Sequence, residues 1–376
     1  MAISEERLKR QFEELVKIDS VSFHEREMAD CLKGIFGQMG ITLTEDETGS
    51  IIGGNAGNLH GFLEGFGGEP GKVNAEPLLF AAHMDTVEPG IGRKAVFHED
   101  GRITSDGTTV LGADDQAAIA IYIEALKSIL EDKAYHRPIE LLFTTAEEKH
   151  TRGASAFDCG KLLSKQAYVL DCSGEIGTYS AQEPTLIDFA VTVSGKAAHA
   201  GFEPEKGINA IAAASRAISR IRQGWVNDHI NLNIGTIHGG IATNVVSEEV
   251  RITGEIRSSV HEDAVSVCEK VGQIFKEEAD AVGASAHMEH RPLLFAYRIP
   301  EDSPALAEYR RVLALFGISP YAKPSFGGSD NNVFVRNGID GICLYNPMHA
   351  IHTTGEYTSI PEMLQMTRIV ETLMRG

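Results

Sequence analysis

At 376 residues the chain is too long for one ordinary hydrophobic core and suggests two or three domains. Its 53 Asp+Glu against 34 Lys+Arg give a formal charge of −19, which repels nucleic acid and anionic membrane surfaces and argues against both as partners. Five scattered cysteines without a Cys-x-x-Cys pair, no apolar run of bilayer-spanning length, and no apolar signal-peptide core between Met1 and Ile18 lead to the expectation of a soluble cytoplasmic protein.

Ser4 can cap a helix that carries Leu8, Phe12 and Leu15 at helical spacing, and a second helix is expected over 25–39, before Gly40. Gly53-Gly54-Asn55-Ala56-Gly57 is followed by no helix pattern and no Gly-Lys-Ser/Thr, so it reads as turns between short strands rather than a phosphate loop. The apolar run Leu78-Leu79-Phe80-Ala81-Ala82 stops at His83, two residues before Asp85. A buried strand there would deliver both side chains at its carboxyl end, where open α/β sheets keep their ligands. A neutral imidazole is a common metal ligand, and a nearby carboxylate can fix its tautomer. Gly112-Ala113-Asp114-Asp115 then leads into an apolar helix over 117–126. A buried strand over 139–145 ends in Glu147 and Glu148, and a short strand over 167–170 ends at Asp171. Three strand ends and one helix start thus bring a histidine and several acids toward the same place.

The middle of the chain changes character. Ile187, Phe189, Val191 and Val193 alternate with Asp188, Ala190, Thr192 and Ser194, and Ile208, Ile211, Ala214 or Ser215, Ile218 and Ile221 or Arg222 step as a helix. Strands near 230–237 and 248–258, a helix over 261–282 with Ala264, Cys268, Val271, Phe275 and Val282 on one side, and a strand over 285–290 complete a β-α-β-β-α-β order, which is ferredoxin-like. This predicts a small α+β domain at 183–291 inserted into a larger α/β domain built from 1–182 and 292–376. In the returning segment, 306–316 reads as a helix, the turn from Gly327 to Asn332 can cap another, and Gly341 to Tyr345 reads as a strand. His349, His352 and Glu356 follow, then an amphipathic helix over 361–374.

Zinc-type ions take histidine nitrogen and carboxylate oxygen, and a hydrolytic pair of them needs a bridging carboxylate, further ligands on each ion and a free carboxylate as base. The candidate set is His83, Asp114, Glu147, Glu148, Asp171 and one of His349 and His352. It contains no cysteine, which suits hydrolysis better than a structural zinc site. Neither His-Glu-x-x-His nor Gly-x-Ser-x-Gly occurs.

In order along nearly the whole chain, His83-Met84-Asp85-Thr86-Val87, Gly112-Ala113-Asp114-Asp115, Thr145-Ala146-Glu147-Glu148, Val169-Leu170-Asp171 and His352-Thr353-Thr354-Gly355-Glu356-Tyr357 resemble the co-catalytic di-zinc peptidase family. That family includes peptidase T, carboxypeptidase G, acetylornithine deacetylase and aminoacylase, and the resemblance runs closest to peptidase T-like tripeptide aminopeptidases. It implies a catalytic domain with a mixed central sheet flanked by helices and an inserted ferredoxin-like lid and dimerisation domain. It implies that His83 and Asp171 hold one zinc, Glu148 and His352 the other, and Asp114 bridges both. Asp85 would orient His83, and Glu147 would deprotonate the shared water. The family's last ligand lies four residues before a glutamate, which selects His352 over His349. A cis peptide between Asp114 and Asp115 is implied as well.

In the smaller domain, Gly195-Lys196-Ala197-Ala198-His199-Ala200-Gly201 resembles the family's lid motif, whose histidine helps to stabilise the oxyanion of the tetrahedral intermediate. Asn244 and Arg257 match substrate-contacting positions, with Arg257 on the polar face of its strand and free to pair with a substrate carboxylate, and Gly328 lies in the family's substrate loop. The implied cofactor is two Zn²⁺ per chain, although cobalt and manganese suit the same donors. The implied partners are a small peptide substrate and a second copy of the chain, joined through the lid domain. Peptidase T proper is somewhat longer and differs around the lid motif, so strict tripeptide specificity is not implied. The alternatives are an N-acyl amino acid deacylase or dipeptidase of the same family, and a non-catalytic peptide or metal binder, against which the intact Glu147 and complete ligand set speak.

Overall fold

In the computed structural model, which describes residues 3–67, 76–133 and 135–376, the apolar run ahead of His83 is the strand Leu78–His83, buried at every position. It lies in the first of two units, made of Met1–Ala181, Arg298–Pro324 and Ser329–Gly376; the second comprises Gln182–Tyr297 and Ser325–Gly328. Parallel strands Ile139–Thr144 and Gln166–Cys172 flank it on either side, and Asp340–Tyr345 runs parallel beyond the latter. Leu59–Leu63 and Leu43–Glu45 extend the opposite side antiparallel, giving the mixed central sheet that the sequence led us to expect. After Leu78–His83 the chain passes to Ile139–Thr144 on one side of it and then crosses to Gln166–Cys172 on the other, so the direction of winding reverses at this strand, where such sheets form a ligand crevice at their carboxyl ends.

Helix Ala113–Asp132 is buried along almost its whole length, which explains why its sequence is apolar on all sides. The Tyr122 hydroxyl donates to the Ala81 carbonyl at 3.0 Å, and Phe80 lies between the rings of Tyr122 and Tyr168. Farther along this helix the buried Glu124 receives Arg7 at 2.6 and 2.7 Å and the Ser4 N–H at 2.7 Å, tying helix Glu5–Val16 onto the central helix. Short helix Thr48–Ile52 and the small sheet of Val96–Phe97, Arg102–Thr104 and Tyr357–Ser359 have too few residues to show a period in sequence. Among the described residues no helix is long and apolar enough to cross a membrane.

The second unit is an antiparallel sheet in the order Gly224–Asn227, Ile230–Gly239, Glu249–Ser258, Thr185–Ser194, Ser285–Leu294. Setting aside the short first strand, this is the ferredoxin-like arrangement. Helices Ala210–Arg220 and His261–Asp280 pack on the face carrying Ile187, Phe189, Val191, Val250, Ile252 and Ile256. Two details of the sequence reading are corrected. The first helix buries Ala210, Ala213, Ala214 and Ala217 and turns Ile211 outward, 41% exposed; the second ends at Asp280, which leaves Val282 outside the packed stripe. Gly254 is required where it sits, because a Cβ there would come within 2.4 Å of the Phe189 ring and of the Asn233 carbonyl oxygen.

Candidate metal centre

Two groups of side chains able to hold a metal ion occur among the described residues: His83, Asp114 and Asp171; and Asp114, Glu148 and His352. Within each group the donor atoms lie within 4.8 Å of one another, and Asp114 belongs to both. Its Oδ1 is 3.0 Å from His83 Nε2, and its Oδ2 is 3.3 Å from His352 Nε2, which is 3.0 Å from Glu148 Oε1. One carboxylate thus turns its two oxygens to two different histidines.

Local backbone explains how each donor is delivered. Asp114 and Asp115 were expected at a helix start, but both have non-helical dihedrals, and the peptide between them is cis. Glu356 accepts the Gly112 and Asp114 N–H groups at 2.8 and 3.0 Å, fixing this segment from the other end of the chain. Asp171 does not end its strand; it lies inside Gln166–Cys172, where the pairing passes from Leu344–Leu170 to Tyr345–Cys172 and leaves Asp171 as the extra residue. Such a bulge re-aims a side chain that the regular pleat would have placed otherwise. His352 has the left-handed φ of 61°, and its neighbour in the sequence reading, His349, is engaged elsewhere: its ring stacks on Tyr357 and its Nε2 meets Glu362 at 2.9 Å.

Asp85 does more than the expected orientation of His83. The Nδ1 of His83 is 2.9 Å from the Asp85 carbonyl and 3.4 Å from its carboxylate. That carboxylate instead accepts the N–H groups of Glu147 and Glu148 at 2.9 and 3.2 Å and the Ser22 hydroxyl at 2.7 Å. The His83 N–H goes to Asp115, whose other oxygen accepts from Asn346. Glu147 is buried yet belongs to neither donor group.

Electrostatics favour a cation. Burial, followed by neighbouring negative charge, pushes the carboxyls of Glu147, Glu148 and Asp171 above their ordinary range. Burial would also raise Asp114, but its bonds to His352 and His83 hold it below that range. His352 is raised to about 10, first by Asp114 and then by Glu148. Buried like charges of this density are costly unless a positive ion lies among them, and the donors are all imidazole nitrogen or carboxylate oxygen, the set that suits zinc, cobalt or manganese.

The remaining expected residues lie in the second unit. His199 is exposed, with Nδ1 accepting the N–H groups of Gly201 and Phe202 at 3.1 and 3.2 Å, so a neutral ring carries its proton on Nε2. Asn244 is exposed, and its carbonyl receives the Ala200 N–H. Arg257 is not free as expected: Glu255 binds its Nε and Nη2 at 2.9 and 3.3 Å, and its Nη1 donates to the Phe326 carbonyl. Gly328 closes the short Ser325–Gly328 segment of this unit. Sequence reasoning missed Ser22, Glu25, Asn58, Glu356 and Asn346 as supports, and only Glu356 carried a signal, through its place in the final motif.

Residues 66–174 match the model of peptidase family M28, and residues 183–282 match the M20 peptidase dimerisation domain. The chain is 37% identical to the protein YqjE of Bacillus subtilis (strain 168), covering 98% of this chain and 97% of that one. It also resembles the solved aminopeptidase PepT from Bacillus cereus, at 34% identity, a TM-score of 0.89 and coverage of 99% and 98%. A tripeptidase from Staphylococcus aureus is similar at 32% identity, a TM-score of 0.93 and the same coverage. The chain therefore belongs to the peptidase T-like members of the M20 peptidase family and is a metallo-aminopeptidase hydrolase.

Proposed function

We propose that the chain removes the N-terminal residue from small peptides, tripeptides above all, using two divalent cations, with zinc as the first candidate. The observation that carries this reading is the Asp114 carboxylate, whose two oxygens face His83 on one side and His352 with Glu148 on the other. His83 and Asp171 would hold one ion, Glu148 and His352 the second, with Asp114 shared between them. When bound, the ions supply Lewis-acid polarisation of the scissile carbonyl and acidify a water. Glu147, off both donor groups and held above the ordinary carboxyl range by burial, is suited to take the water's proton and return it to the departing amine. His199, with its proton on the free Nε2, is suited to donate to the developing oxyanion. Asn244, Gly328 and Arg257, the last already oriented by Glu255, are proposed to contact substrate. The match over 183–282 supports a homodimer through this second unit.

The test is a panel of tripeptides, dipeptides and N-acetylated amino acids, with metal analysis of wild type and Glu147→Gln. Cleavage of free-amine tripeptides with about 10²–10⁴-fold loss in Glu147→Gln at unchanged metal content is expected. Hydrolysis confined to the acetylated compounds would overturn the aminopeptidase reading, and full activity in Glu147→Gln would remove Glu147 as base.

A further inference from the structure

Four consecutive backbone N–H groups around the proposed base are held by side chains from three distant segments. Thr145 donates to Asn58 Oδ1 at 3.1 Å, Ala146 to Glu25 Oε1 at 3.0 Å, Glu147 to Asp85 Oδ1 at 2.9 Å and Glu148 to Asp85 Oδ2 at 3.2 Å. The need for them is geometric. Strand Ile139–Thr144 has ended and the 3₁₀ turn Glu147–Lys149 has just begun, so these groups have neither a ladder nor an earlier turn to bond to. Ala146 also adopts the left-handed conformation, φ 48° and ψ 43°, which costs an alanine roughly 1–2 kcal/mol unless its surroundings impose it.

Glu25 is the least explained member of this set. It is fully buried, its Oε1 also accepts the N–H of left-handed Phe23 at 2.9 Å, and its Oε2 has no hydrogen-bond partner. A buried carboxyl with an idle oxygen is a costly way to fill space. Three residues earlier, Ser22 donates to Asp85, so the 22–25 stretch grips the turn twice, once directly and once through Asp85.

We propose that Glu25 is a positioning residue that, by holding the Ala146 N–H, fixes the left-handed turn from which the Glu147 carboxylate is presented. This rests on the reading of Glu147 as the base. A misplacement of about 1 Å is enough to lose about 10²-fold in rate. The charge on Glu25 is not what the bond to Ala146 requires, since a glutamine offers the same carbonyl acceptor at the same reach.

The full chain, loaded with zinc, would be compared as wild type, Glu25→Ala, Glu25→Asp and Glu25→Gln, measuring kcat, KM, metal content and melting temperature on one tripeptide. Glu25→Ala and Glu25→Asp, whose shorter side chain cannot reach Ala146, should lose about 10–100-fold in kcat at near-constant KM and metal content, and Glu25→Gln should recover most of it. Should Glu25→Ala fail to fold, the Asp and Gln pair carries the comparison. Wild-type kcat in Glu25→Asp, equal losses in Asp and Gln, or a loss that follows metal content would overturn the proposal. Glu147→Gln run beside them separates the two readings: if it stays active, the base assignment fails, and if it is dead while Glu25→Asp is unimpaired, only the positioning role fails.

Discussion

Asp85→Asn isolates the support beneath the two glutamates without substituting any proposed ligand. The Asp85 carboxylate is fully buried and accepts three hydrogen bonds, from Glu147 N, Glu148 N and the Ser22 hydroxyl. An asparagine keeps one acceptor oxygen, enough for Glu147 N, but presents its amide hydrogens to Glu148 N–H, where two donors then face each other. Replacing charged by neutral bonds at Glu147 and Ser22 costs about 1 kcal/mol each, and the stranded Glu148 donor about 1–3 more, for about 3–5 kcal/mol altogether. Urea denaturation in chelator should show this loss in the unit holding the centre. Because Glu148 is displaced with its backbone, metal affinity should also fall by about 10–100-fold, read by competition with a chromogenic chelator. A stability change below about 1 kcal/mol, or unchanged metal affinity, would refute the account of Asp85 as a backbone clamp.

Glu25 also makes a pH prediction. Burial, and then the charge of Asp85, push it up to about 7, above the usual ~4.3, so its stabilising contribution is fully present below about pH 4 and lost as pH rises through 7. In chelator, wild type should therefore lose about 3 kcal/mol relative to Glu25→Gln between pH 4 and 8; parallel denaturation curves at both pH values would contradict this. His199→Ala removes an exposed ring with no core role, so melting should be unchanged while kcat falls about 10²–10³-fold, measured with a saturating tripeptide. Strand Gly224–Asn227 covers Ile230–Gly239 only as far as Leu232, leaving an open edge beside Ile237, 49% exposed, and Ile241, 85% exposed. Ile237→Lys with Ile241→Lys should weaken the proposed two-fold dimer by about 10²–10⁴ in Kd, seen as monomer in sedimentation, whereas an unaltered dimer would place the contact elsewhere.

Several proposed site residues were legible because they sit where a pattern stops: His83 follows five apolar residues, Glu148 and the proposed base Glu147 follow a buried strand, and Asp171 lies at the end of another apolar run. What holds those donors was not legible, for a physical reason. Glu25 reads as an ordinary helix start, and its bond to Ala146 spans 121 residues; Asn58 reaches Thr145 across 87, and Glu356 reaches Asp114 across 242. Local periodicity says nothing about such pairs. The smaller unit shows the converse limit: period and element order were read correctly, but its first helix packs through Ala210, Ala213, Ala214 and Ala217 and turns Ile211 outward, a choice of face that the isoleucine spacing alone did not show.

These supports follow from a difficulty that every acidic metal site shares. Carboxylates gathered in a buried crevice repel one another, and a soft loop would relieve that repulsion by splaying them apart. Here the relief is blocked from the backbone side. Asp85 takes up the N–H groups of both glutamates, Glu356 those of Gly112 and Asp114, and Asp115 that of His83, so five points of main chain beneath the donors are bonded to buried carboxyls. The same acids that make the crevice attractive to a cation are therefore held by other acids, and peptide N–H dipoles supply the intervening positive ends. An arginine or lysine in those supporting places would hold a carboxylate equally well, but it would cancel the negative field that the proposed ions are drawn to. Neutral N–H donors fix the geometry and leave the field in place.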